Sequence, residues 1–437
     1  MKVKMLVRNP DEYIRETSRD LHRHQRNVAP ELHPLAITRE YTAAVNAAKL
    51  DRIFAKPFLC SLGGHRDAVE LLAKHPDRIS GAVSASADGE LRWWDLTNRM
   101  CVRSLQAHDG PIRGLTFGQS ANVLLTAGQD QSIKQWRGAE IRHTILSKHG
   151  IMGLTHHYKS TTFATAGETV SLWEEGRNEP LRSFNWGIDT VYSVYFSPIE
   201  YDLLASLSSD RSIVLYDIRE ASPLRKVVLE MRCNALAFNP MQAMHFTVAN
   251  ENYNLYTFDM RSLNKALQSH TDHVGAVLSV DYSPTGTEFV SGSYDKTVRI
   301  YPISSMRSRE VYHTKRMQRV TSVMYSLDAK YILSASDEMN IRLWKAKASE
   351  QLGIQSFRER NTYNYNATLL ERFGYHPEVK RIVRHRHVPK QLYSQIQEKQ
   401  TMVAAKKRKE IRRRMHTKEK DLRLPGTREQ IIVEEQE

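Results

Sequence analysis

Seven copies of one short pattern, spaced 37 to 43 residues apart, predict an all-β chain closed into a seven-bladed β-propeller. Each copy is a run of small residues, an acidic or amide residue, and alternating apolar positions that end in an aromatic. The flanks break this pattern. They predict an extended or helical N-terminal arm over residues 1–56 and a basic α-helical C-terminal tail over 346–437, with the propeller at 57–345.

The pattern reads SASADGELRWWD at 84–95, TAGQDQSIKQW at 126–136, TAGETVSLW at 165–173 and SLSSDRSIVLYD at 206–217. It continues as ANENYNLYTFD at 249–259, SGSYDKTVRIY at 291–301 and SASDEMNIRLW at 334–344. The closing aromatics are Trp94, Trp136, Trp173, Tyr216, Phe258, Tyr301 and Trp344. An ending of WD type at this period marks the four-stranded blade of a WD-repeat propeller. Ile213 and Leu215 alternate with Ser212 and Val214, which is strand periodicity. Asp88-Gly89 and Pro284-Thr285-Gly286 supply hairpin-turn chemistry. One blade cannot bury both of its faces. Seven in a ring can.

Ring closure is legible too. After Trp344 the chain leaves the strand pattern, so the seventh blade lacks an outer strand. Residues 58–62, FLCSL, form a spare strand ahead of the first repeat, and the expectation is that they complete blade seven.

The bulk numbers bound the function. The chain has 437 residues, 41% hydrophobic and 26% charged, enough apolar material for a sizeable core. Cys60, Cys101 and Cys233 stand singly, with no CxxC pair, so neither a zinc site nor a disulfide framework is expected. No run of eighteen apolar residues appears, and the first residues turn charged early, so the expectation is an intracellular chain without a membrane span. Net charge is +14, a balance that favours polyanionic partners. Residues 345–437 hold 22 Lys and Arg against 12 Asp and Glu, which is ten of those fourteen charges.

Within the tail, residues 391 to about 420 contain no Gly or Pro and many strong helix formers. Seven of the twelve residues in AAKKRKEIRRRM, 404–415, are basic. Lys406, Lys407, Arg408, Lys409, Arg412, Arg413 and Arg414, with Arg384 and Arg386 upstream, are the candidate RNA contacts. Such a helix repels itself when alone, and along a phosphate backbone it would release counterions. Two other readings stand beside this one: a nuclear import signal in KKRK at 406–409, and a solvated helix without a partner. The tail is expected to contribute no strand to the ring. Arg358, Arg360 and Arg372 are candidates for docking it there. In the arm, 38–54 has helix-compatible composition. Residues 1–39 either pack on the propeller flank or order only in an assembly.

His65 with Ser86 and Asp88 invites a catalytic-triad reading. His108 with Asp130, and His273 with Ser293 and Asp295, repeat it, and an enzyme needs one such site. The reading preferred here is a structural turn network of His65, Asp88, Trp94, His108, Asp130, Trp136, Asp210, His273 and Asp295, because buried polar groups must be paired. Blades three, five and seven lack a clean Asp at this position and carry Glu168, Asn252 and Glu338 in or beside it, so those blades are expected to be less regular or more embedded in partners. Neither His156-His157 nor His385-Arg386-His387 has acidic or sulfur ligands at useful spacing, and no nucleotide-binding glycine motif exists, so no metal, cofactor or catalytic residue is assigned.

Residues 216–219 and 258–261 end two consecutive blades as aromatic-Asp-x-Arg, placing Arg219 and Arg261 alike. This resembles the paired motif by which many propellers dock on the adaptor of cullin-four ubiquitin ligases. The plainer alternative is Arg paired to the Asp of a neighbouring turn.

The flanks carry a wider resemblance. The run LHPLAITREYTAAVNAAKLDRIFAKPF (32–58), SREVYHTKRMQ (308–318) and RHRHVPKQLYSQIQEKQ (384–400) resemble segments of the suppressor-of-fibrillarin WD-repeat proteins, called cullin-four-associated factors in animals. The resemblance implies a non-catalytic scaffold of the small-subunit processome in the nucleolus. Its implied partners are processome proteins, the U-three small nucleolar ribonucleoprotein and pre-rRNA. It also implies a second reading, a substrate receptor of a cullin-type ubiquitin ligase.

Overall fold

A computed structural model describes residues 35–185, 189–417, 426 and 428–436. The described residues form two compact units: 35–53 with 351–384, and 54–350 with 385–436. The stretch read from sequence as one tail is therefore divided between them. Most of the predicted arm, residues 1–34, lies outside the described residues.

The larger unit is the expected ring of seven antiparallel sheets. In blade one the strands run Val69–Lys74, Gly81–Ser86, Glu90–Asp95 and Met100–Gln106, from the centre outward. The second strand of each blade is sandwiched on both faces. There GAVSAS, VLLTAG and EFVSGS mix small residues with larger apolar ones, and Leu124, Leu125 and Phe289 are buried between neighbouring sheets. The hairpin turns place Gly89 and Gly286 at φ of 86° and 66°, where a side chain would be strained.

Adjacent blades share their cores. Val83, Ala85 and Leu91 of blade one pack with Ile112, Leu124 and Trp136 of blade two. Each large side chain buried this way contributes about 1.5–3 kcal/mol. The innermost strands of all seven blades line a cavity of about 940 Å³. Its charges are paired: Arg113 to Glu70 at 2.9 Å, Lys74 to Asp281 at 3.6 Å and Arg319 to Asp337 at 3.1 Å.

The ring closes as the sequence predicts. Phe58–Leu62 pairs antiparallel with Ile341–Lys345, Phe58 opposite Trp344 and Leu62 opposite Ile341. Blade four holds the exception. Its outer strand, Pro223–Leu229, pairs with a fifth strand, Ile432–Gln436, so the expectation that the tail adds no strand is overturned. The cause is local. Ile431, 4% exposed, enters the core beside Leu229 and Ile213, and the acidic strand meets a basic edge, with Glu435 3.8 Å from Arg225.

The smaller unit joins helix α1 (Ala36–Ile53) to α2 (Phe357–Arg372) and α3 (Pro377–Arg384). Ala44 and Ala48, one turn apart, let Leu369 and Val379 approach closely. Tyr41 packs on His376 at 4.3 Å between centroids and donates its hydroxyl to Glu378. Ser356 and Glu359 form a capping box at the start of α2. Pro377 is the first residue of α3, where its missing N–H costs nothing. Arg372, a candidate anchor to the ring, instead pairs with Glu40 of α1 at 2.6 Å.

Candidate protein and nucleic-acid interfaces

The turn network is present, with a shifted register. In blade two, Trp136 Nε1–H donates to Thr126 Oγ1 at 2.9 Å, and the same oxygen lies 2.8 Å from His108 Nε2. The Thr126 hydroxyl therefore gives its proton to Nε2. His108 carries its own proton on Nδ1 and donates it to Asp130 Oδ2 at 2.9 Å. In blade six, His273 meets Ser291 at 2.7 Å and Asp295 at 2.9 Å. In blade one, His65 and Trp94 both meet Ser84, at 2.6 and 2.8 Å.

The hydroxyls are thus Ser84 and Ser291, not Ser86 and Ser293. Ser293 instead donates to the carbonyls of Gly275 and Ala276. Asp88 accepts the Glu90 N–H in its own turn, and Glu90 takes the place facing His65, at 3.5 Å. Among the described residues, Asp210 of blade four bonds Ser212 and Lys226 rather than a histidine. Burial would raise its carboxyl, but Lys226 at 2.8 Å and Ser212 outweigh that and hold it low. Burial pushes His108 and His273 below the usual imidazole range, and His65 down to about 4.

Blade five builds a different network. Asn252 and Asn254 donate to the Tyr256 hydroxyl at 2.8 and 3.0 Å, and His270 lies 3.2 Å from Thr257. Trp173 of blade three and Trp344 of blade seven still donate, to Thr165 and Ser334.

The motif arginines lie on the surface. Arg219 pairs with Asp202 and is 74% exposed; Arg261 pairs with Asp259 of its own motif at 2.9 Å and is 71% exposed. Tyr216 and Phe258 of the same motifs are buried in the blades. Arg225 donates to the Arg261 carbonyl at 2.8 Å, so the outer strand of blade four steadies the blade-five loop.

Helix α4 (Lys390–His416) carries the densest candidates. Lys406, Lys407, Arg408, Lys409, Arg412 and Arg413 are exposed and Arg414 is half-buried. Four consecutive basic residues span a full turn at 3.6 residues per turn, so positive charge encircles this part of the helix. The first half of α4 is docked. Leu392 is buried, and Lys399 Nζ donates to the His273 carbonyl at 2.7 Å and lies 5.4 Å from the Tyr253 ring centre. Burial and the nearby Arg299 bring its ammonium down to about 8. Sequence reasoning missed Lys399; its signal was the Leu392, Ile396, Lys399 spacing of one inward helix face.

Among the upstream candidates, Arg384 is exposed on α3. Arg386 is not an open cation: it pairs with Glu310 at 3.3 Å and donates to the Arg309 carbonyl, anchoring the chain to blade six. His156, weighed as a metal ligand, contacts Glu175 at 3.0 Å and the His157 carbonyl.

Comparison with known proteins agrees with this architecture. The WD domain, G-beta repeat, matches residues 99–137, 263–301 and 309–345, and the Sof1-like domain matches 346–432. The chain is 53% identical to "DDB1- and CUL4-associated factor 13" of Xenopus laevis and of Homo sapiens, in each case over 99% of both chains. It is 41% identical to "Protein SOF1" of Saccharomyces cerevisiae, over 96% of this chain and 92% of that one. With a WD-repeat ring, a Sof1-like segment and relatives matched nearly end to end, the chain belongs to the family of protein SOF1 and DDB1- and CUL4-associated factor 13.

Proposed function

We propose that this chain is a non-catalytic scaffold of the nucleolar small-subunit processome, acting in pre-rRNA processing and 40S subunit biogenesis. The ring holds processome proteins, and α4 contacts pre-rRNA or the U-three small nucleolar ribonucleoprotein. One observation carries the RNA reading: a helix ringed by exposed Lys and Arg from Lys406 to Arg413, docked on the propeller through Lys399. Counterion release favours such a helix along a phosphate backbone. The likeness to protein SOF1 supports ribosome biogenesis as the setting.

A second reading, substrate receptor of a cullin-type ubiquitin ligase, is favoured by the exposure of Arg219 and Arg261 and by the name of the animal relatives. Depletion of the protein, followed by Northern analysis of pre-rRNA, separates the two. The scaffold reading expects uncleaved precursor and lost 18S rRNA with the large-subunit rRNA preserved. Rescue by an Arg219→Glu, Arg261→Glu double variant tells whether that role needs the two arginines. Normal pre-rRNA after depletion overturns the scaffold reading.

A further inference from the structure

The rim of the ring is treated unevenly. An edge strand presents unpaired N–H and C=O groups and is a template for another strand. Blades three, five and six end in outer strands of only three residues, Arg182–Phe184, Gln268–His270 and Glu310–Tyr312. Blade seven ends on the five residues of Phe58–Leu62. Seven-residue outer strands occur on blades one, two and four: Met100–Gln106, Glu140–Leu146 and Pro223–Leu229. The one on blade four is occupied by Ile432–Gln436. The occupant matches its edge: Ile431 enters the core with Ile432 packed against it, and Glu435 lies 3.8 Å from Arg225.

Blade one repeats the edge without the occupant. No strand among the described residues pairs with the outer side of Met100–Gln106. Arg99 and Arg103 are exposed, and no acidic residue stands between Met100 and Gln106. Met100 and Val102 are 62% and 70% exposed, Val102 as the extra residue of a bulge between Cys101 and Arg103. Blade two differs, since Glu140 opens its strand and mixes the charge.

We propose that the outer strand of blade one is a β-addition site for an extended acidic segment of another protein, with apolar residues at alternate positions. Main-chain hydrogen bonds supply affinity, Met100 and Val102 cover the apolar side chains, and Arg103 selects for acid. The inference rests on the scaffold reading only in that the ring binds proteins. The assay below contains no RNA, so its failure leaves the RNA reading untouched.

The test adds a fluorescein-labelled peptide of sequence QIIVEEQ, residues 430–436, to the full chain and follows anisotropy. Blade four already holds its own copy, so the probe reports a second edge. The expected result is saturable binding, weakened about tenfold by Arg103→Glu or by changing both peptide glutamates to lysine. Val102→Asp should lower binding as well, and an unchanged melting temperature in both protein variants excludes unfolding as the cause. Three results overturn the proposal: no binding at millimolar peptide, loss with Arg225→Glu but not Arg103→Glu, which is exchange onto blade four, or loss only with Arg142→Glu, which is blade two.

Discussion

Blade six and the outer half of α4 handle charge in opposite ways. In blade six Asp295 is buried and receives bonds from His273, Val274 and Thr297, and these with the nearby Arg299 hold its carboxyl well below the usual range although burial opposes it. On α4, Lys406 to Lys409 stand in water around a full turn. The first arrangement turns charge into a single fixed conformation. The second keeps charge hydrated and available, at little gain to the fold. A ring of shared cores can tolerate the second because its stability is supplied elsewhere.

The sharpest way to break this contrast is Asp295→Ala. It strips several bonds from a charged acceptor, each worth about 1.5–3 kcal/mol and not additive, so a loss of at least about 3 kcal/mol in chemical denaturation is expected. RNA affinity of the fraction that remains folded should be unchanged.

Acid gives the next effect. Burial holds His65 and His270 down at about 4, and His108 and His273 are also lowered. Unfolded histidine takes its proton near pH 6.5, so below that the unfolded chain binds more protons and stability falls with pH. For His65 and His270 the loss runs from pH 6.5 to about 4, at up to about 1.4 kcal/mol per pH unit each. Melting curves should show it, and a His270→Gln variant should have a shallower slope. The RNA reading rests on Lys and Arg rather than on these histidines, so RNA binding of folded protein should stay flat over the same window.

The smallest effect on the fold, and the most selective on binding, is expected from replacing Lys406, Lys407, Arg408 and Lys409 with alanine. Stability should move by less than about 0.5 kcal/mol, as for surface sites generally. The slope of log affinity for single-stranded RNA against log salt should drop by roughly 3, at about 0.7 per lost phosphate contact. A melting temperature that fell instead would show the helix to be part of the fold.

Much of the ring could be read because its signals are local. The seven aromatics and Asp88-Gly89 lie within a few residues of what they determine, and FLCSL could be matched to blade seven because it was the one strand left over from the repeats. What escaped depends on distance along the chain. Ile432–Gln436 looks like an acidic end until it meets an edge two hundred residues earlier. Arg386 looks like an open cation until Glu310 is beside it. Ser84 and Ser86 lie on one face of the same strand, and only the reach of Trp94 decides between them. The basic turn of α4 was legible as exposed charge, and Arg219 and Arg261 as surface residues, although each of the two pairs with an aspartate, Asp202 and Asp259.

The closing ladder of blade seven has a consequence in time. Phe58–Leu62 and Ile341–Lys345 are joined across a loop of roughly 280 residues, whose closure costs on the order of 5 kcal/mol in chain entropy. Contacts this remote in sequence form slowly, after the hairpins between them. Until they form, six blades can be complete while the seventh shows Ile341–Lys345 as a bare edge, the very feature the finished ring conceals. The interval before that ladder forms is therefore when its edge is open to mispairing.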